Sequence, residues 1–147
     1  MVFSGADGPT LDLEENNDPV GRLAGIAWQY VRTLYEYARL KHDGAFSGSV
    51  FKYLQGGQDD DGYRYGPGGY APVESETVRN TPPMRQERVF SVPSEVDASG
   101  TCFMEEHFRL ETRDSTAPRM YFLDATASTG MIYIGYIGKH LTNTRSH

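Results

Sequence analysis

Four residues near the C-terminal end have the types that phosphodiester chemistry needs. Arg119 opens the apolar run RMYFLD, Lys139 and His140 close the run MIYIGYIG, and Tyr136 lies inside the second run. Cations hold a phosphate, and a histidine or tyrosine moves the protons that its cleavage requires. If the two runs are antiparallel neighbours joined by a hairpin at Thr126–Gly130, the start of one and the end of the other share a sheet edge. Arg119, Lys139, His140 and Arg145 then converge, with Tyr121 and Tyr136 nearby. The competing reading makes them charged strand ends that shield an edge. Arg119, Lys139, His140 and Tyr136 are the candidate catalytic residues.

Other chemistries find less support. The histidines His42, His107, His140 and His147 form no H-x-x-x-H or H-E-x-x-H pair, and a metal site from His107, His140 and a carboxylate requires strand order to bring them together. The acidic string Asp59–Asp61 followed by Gly62 invites calcium, but position twelve of such a loop is Tyr70 instead of Glu. The glycines match neither phosphate-loop nor dinucleotide spacing. Cys102 stands alone, so it makes no intramolecular disulfide, and its surroundings GTCFM read as a small core position rather than a nucleophile turn. No cofactor and no metal are expected.

Before any site forms, the chain must supply a scaffold. Its 147 residues suit one domain, and ten Tyr, seven Phe and one Trp compensate for an apolar fraction of 38%. The net charge is −6, and residues 1–83 carry seven bases against twelve acids. An acidic pI near 5.1 disfavours general nucleic-acid affinity, which rests on clustered Lys and Arg, so RNA remains a partner only through a local basic site. No apolar run reaches the length of a membrane span, and no secretory signal opens the sequence; a free thiol suits a reducing compartment, so the expected location is the cytoplasm.

Residues 1–17 are polar and acidic and read as a disordered or loosely docked leader. A single α+β domain is expected over 18–147. Asp18 and Pro19 start a helix, VGRLAGIAWQYVRTLYEYARLKH continues it with apolar residues at helical spacing, and Asp43-Gly44 stops it. Its wide aromatic face includes Trp28, Tyr35 and Tyr37, which are the candidate partner-binding residues, for a protein partner or a second copy. SGSVFKYLQ suggests a brief helix with Val50, Phe51 and Leu54 on one side, and residues 56–83 read as a Gly/Tyr/Asp-rich loop. Strands are expected around Arg88–Val92 and Glu106–Thr112, with CFMEEHF also compatible with a helical turn. RMYFLD and MIYIGYIG are apolar on both faces, so each needs cover on two sides. The fold class is α+β: a long N-terminal helix on a three- to four-stranded, mostly antiparallel sheet ending in a meander.

The order HFRL, PRMYFLD, MIYIGYIGKHL resembles the C-terminal meander of the RelE/ParE superfamily of small bacterial toxins, over about residues 106–141. The resemblance implies a metal-independent, RNA-acting protein if RelE-like, or a gyrase-directed one if ParE-like. It implies a phosphate-binding role for Arg119, a charged strand end at Lys139 and His140, and a proton carrier at Tyr136. The chain departs from the family in being acidic and in carrying a long helix and a Gly/Tyr loop ahead of the meander. The alternative is a non-enzymatic interaction or structural module binding through the aromatic helix and the Tyr-rich loop.

Overall fold

The computed structural model describes residues 2–3, 20–56, 62–110 and 117–142. The long helix, α1, spans Val20–His42, and its expected cap residues Asp18 and Pro19 lie outside the described residues. Its end follows the expected chemistry. Gly44 takes φ 75°, the Gly44 amide donates to the Lys41 carbonyl (3.1 Å), and the Ala45 amide donates to Leu40 (2.9 Å). Arg39, Lys41 and His42 occupy the last turn, where the helix dipole favours positive charge.

Helix α2, Val50–Gln55, is capped by the Ser49 hydroxyl, which accepts from the Lys52 amide. Val50, Tyr53 and Leu54 fall at i, i+3 and i+4 and are buried. Phe51 lies off that stripe and is half exposed, which corrects the expectation that it turns inward with Val50 and Leu54.

Strands β1 (Val2–Phe3), β2 (Tyr70–Ala71), β5 (His107–Arg109), β6 (Arg119–Ala125) and β7 (Met131–Gly138) form one sheet in the order β1-β7-β6-β5-β2. The β5-β6-β7 meander and β2 are antiparallel, while β1 joins the edge in parallel. The fold is α+β as expected. The two short edge strands come from segments whose composition reads as leader and loop. The 56–83 segment is more structured than that composition suggests. It holds a 3₁₀ turn at Pro67–Gly69, β2 and helix α3 (Glu76–Asn80), with helix α4 (Pro82–Gln86) running past its end. The Ser75 hydroxyl caps α3 and Pro82 opens α4, so local caps override a Gly-rich composition. Asp59–Asp61 lie outside the described residues.

Strands β3 (Val89–Ser91) and β4 (Thr101–Phe103) form a separate antiparallel hairpin, so the start of CFMEEHF is a strand and not a helical turn. Between β6 and β7, a single turn of helix, α5 (Thr126–Thr129), replaces a plain loop.

The sheet is covered on both faces. On one, Leu23, Tyr30 and Leu34 of α1 pack with Phe108, Phe122 and Ile134, and the Tyr30 and Phe108 rings stack 4.0 Å apart. On the other, Phe90, Val92 and Met104 from the hairpin region pack with Tyr121 and Tyr133. Gly135 makes this two-sided packing possible. Tyr121 pairs with Tyr136 but Phe122 pairs with Ile134, leaving Gly135 as an extra, bulged residue. The bulge lets Ile134 and Ile137 both face α1, while Tyr133 and Tyr136 both face the hairpin. A Cβ on Gly135 would sit 2.7 Å from Met104 Sδ and 2.8 Å from the Phe90 ring.

Gly135→Val is therefore expected to lower unfolding stability by about 1–3 kcal/mol through overpacking. A Cβ on Gly25, on the exposed side of α1, meets nothing within 4 Å. Gly25→Ala is expected to raise stability by roughly 0.5–1 kcal/mol, because alanine loses less backbone entropy in a helix. Urea denaturation of the two variants beside the parent chain measures both.

Candidate functional site

Arg119 lies opposite Gly138 in the β6–β7 ladder, so its backbone does neighbour the chain that leads to Lys139 and His140. The side chains have different surroundings. Arg119 is buried on the hairpin face and donates to the Ala117 carbonyl, whereas Lys139 is exposed. Tyr136 donates its hydroxyl to the Lys139 carbonyl (2.6 Å), and His140 is half-buried with Nδ1 3.2 Å from the Leu141 carbonyl. Arg145 and His147 lie outside the described residues.

The groups around Arg119 come from elsewhere in the chain. Glu74 accepts hydrogen bonds from Arg88 Nε and from the Tyr121 hydroxyl (2.8 Å), and its other oxygen is 3.9 Å from His107 Nδ1. Arg88 also donates to the Met84 carbonyl (2.8 Å). The His107 ring lies 4.7 Å from that of Tyr121, and its Nδ1–H donates to the Glu105 carbonyl (2.8 Å). Burial pulls the His107 imidazole below its ordinary pKa, against the opposing pull of the Glu105 carbonyl and the Glu74 charge. Burial also lowers Arg119, with Tyr121 opposing and the Arg109 charge adding to the shift. Arg109 and Arg119 are direct cross-strand partners, a like-charge pairing that sheets disfavour. Glu74 and Arg88 carry no signal in the sequence, because they lie in the segment between the helix and the meander and reach Tyr121 only through the tertiary fold.

A second polar cluster lies on the α1 face. Tyr37 donates to Asp124 Oδ2 (2.5 Å) and accepts from Lys41 Nζ (3.1 Å), while the Thr126 amide and hydroxyl donate to Asp124 Oδ1. Tyr70 donates to Glu106 Oε2 at 2.5 Å. Burial pushes the Glu106 carboxyl up from 4.5 to about 7; the Tyr70 hydrogen bond opposes this, and the Asp124 and Glu105 charges reinforce it. Burial, then the carboxylate partners, push both Tyr37 and Tyr70 above their ordinary range. Among the described residues, no group of three or more His, Cys, Asp and Glu is placed to hold a metal ion.

The outward side of α1 is different in kind. Trp28 is 65% and Tyr35 56% exposed, and they are seven residues apart, two turns along one stripe. Tyr37 does not belong with them: it is fully buried against Phe46 and Tyr53, which corrects its reading as a partner-binding residue. Its position on the helix face toward the sheet, and its bond to Asp124, account for the difference.

No protein-family model matches the chain, and no curated protein or solved structure matches it. No described helix is long and apolar enough to cross a membrane.

Glu106 gives the site a pH signature. Its folded pKa lies above its ordinary value, so its protonation favours the folded state fully below about pH 4.5 and progressively less as pH rises through 7. Unfolding stability is expected to fall over that window by up to roughly 3 kcal/mol. Glu106→Gln, which keeps an acceptor for Tyr70, should flatten that part of the profile. An unchanged slope in chemical denaturation between pH 4.5 and 8 would show that Glu106 is not its source.

Proposed function

We propose that this chain is a non-catalytic protein-binding module whose contact surface is the outer side of α1. The observation that carries this reading is the solvent exposure of Trp28 and Tyr35 on one helical stripe, since large aromatics are the residues from which interfaces draw most of their energy. The polar clusters on both sheet faces are satisfied within the described residues, and they hold α1, β2 and the hairpin to the sheet. A rigid scaffold displaying one helix is what such a module needs.

A second reading, a RelE-like protein acting on RNA without a metal in a bacterial cytoplasm, is favoured by one observation. Arg109 and Arg119 face each other across β5 and β6, with the Arg88 charge felt at Arg119. A bound phosphate would add to the negative charge that Glu74 already brings to Arg119. This reading uses Arg119 as the phosphate ligand and Lys139, His140 and Tyr136 as its flank.

Affinity capture from the native host, followed by mass spectrometry, tests the first reading. The Trp28→Ala/Tyr35→Ala variant is expected to lose the captured partner while its circular dichroism is unchanged. Tyr37→Phe should retain the partner yet lose about 1 kcal/mol of stability with its Asp124 hydrogen bond. A chain that captures nothing specific and stays monomeric counts against the module. For the second reading, induced expression should arrest growth and Arg119→Ala should relieve the arrest; normal growth with intact mRNA removes it.

A further inference from the structure

The exposed stripe of α1 runs Gly21, Gly25, Trp28, Arg32, Tyr35, Arg39, alternating four- and three-residue steps, which is the spacing of a helix–helix seam. Cβ atoms at Gly21 and Gly25 would meet nothing within 4 Å, so a second backbone can approach closely at that end. Trp, Tyr and Arg alternate along the remainder, the composition of interface hot spots. Two of the cations are already positioned. The Arg32 guanidinium lies 4.0 Å from the centroid of the Tyr63 ring, and Arg39 Nε is 2.7 Å from Glu36.

Charge selects the occupant. On the outer side of helix α1, Arg22, Arg32 and Arg39 stand against Glu36, a net of +2, while Lys41 turns inward to the Tyr37 hydroxyl (3.1 Å); the chain as a whole carries −6. A symmetric pairing of α1 with α1 of a second copy sets +2 against +2, which like-charge repulsion opposes. An acidic helix meets complementary charge at Arg32 and Arg39 on the stripe and at Arg22 beside it. Resting on the protein-binding reading above, we propose that the outer face of α1 is the docking seam for an acidic amphipathic helix of another protein. The partner presents leucine-type residues to Trp28 and Tyr35, and its flanking carboxylates meet Arg22, Arg32 and Arg39.

Trp28 is the sole tryptophan of the chain, so its fluorescence reports this surface directly. The probes are three-heptad helical peptides with leucine at a and d and glutamate, glutamine or lysine at e and g, together with a single-stranded oligouridine. In the full-length free protein, Trp28 is expected to emit as an exposed indole. The glutamate peptide should shift that emission to the blue, with affinity falling at least about tenfold between low salt and roughly 0.5 M. Arg32→Glu/Arg39→Glu should weaken the glutamate peptide about tenfold and strengthen the lysine peptide. Equal binding of the glutamine and glutamate peptides overturns the acidic partner while leaving a protein-binding face intact. Blue emission from the free protein means the seam is already covered, by the chain itself if it persists on dilution and by a second copy if it does not, and either overturns the proposal. Tighter binding of oligouridine than of the glutamate peptide, or no shift with any peptide, overturns it too; a cellular partner still lost in the Trp28→Ala/Tyr35→Ala variant then shows that the module reading survives.

Discussion

Everything in this structure depends on burying the β6–β7 pair on both faces. Each strand is apolar on both sides, so a cover on one side alone leaves a row of large side chains in water. The bulge at Gly135 sorts those side chains, sending isoleucines toward α1 and tyrosines toward the hairpin. Beneath the helix those isoleucines pack among leucines and the stacked rings of Tyr30, Phe108 and Phe122. The tyrosines opposite bring hydroxyls as well as rings, and those hydroxyls require polar partners in the second cover.

That requirement explains where the charged residues went. Tyr121 finds Glu74, Glu74 in turn holds Arg88, and His107 and Arg119 complete a buried polar group under the hairpin. Under α1, Tyr37 and Tyr70 find Asp124 and Glu106. Each bond ties a covering segment to the sheet at one defined place. Buried pairs of this kind contribute little net stability, but removing one partner leaves an uncompensated charge, so they penalise alternative arrangements of the covers. With both faces of the sheet covered, Trp28 and Tyr35 remain on the solvent side of α1.

The two covers also differ in how far they could be foreseen. Helix α1 was legible through its 3.6-residue spacing and its Gly44 stop, and the meander through its three apolar runs. Within 62–100 only the strand near Arg88–Val92 was legible, since two five-residue helices, one capped by Ser75 and the other opened by Pro82, leave no periodicity long enough to see. The sequence placed Arg119 at the correct sheet edge but not its company. Register puts backbones side by side, whereas the guanidinium turns to the Ala117 carbonyl on the covered hairpin face and Lys139 stays in solvent. Trp28, Tyr35 and Tyr37 look alike as aromatic residues of one helix, and only the position of the sheet beneath α1 separates the first two from the third.

By itself the sequence determined local matters: where the helix starts repeating and where Gly44 ends it, which runs are strands, and that two strands need double cover. These follow from side-chain period, caps and turn residues, which act over a few neighbours. The tertiary structure decided which segment supplies the second cover, the pairing of Glu74 with Arg88 and Tyr121, the proton affinity of Glu106, and the exposure of Trp28. Each of those depends on groups far apart in the chain, and on water excluded only once both covers are in place.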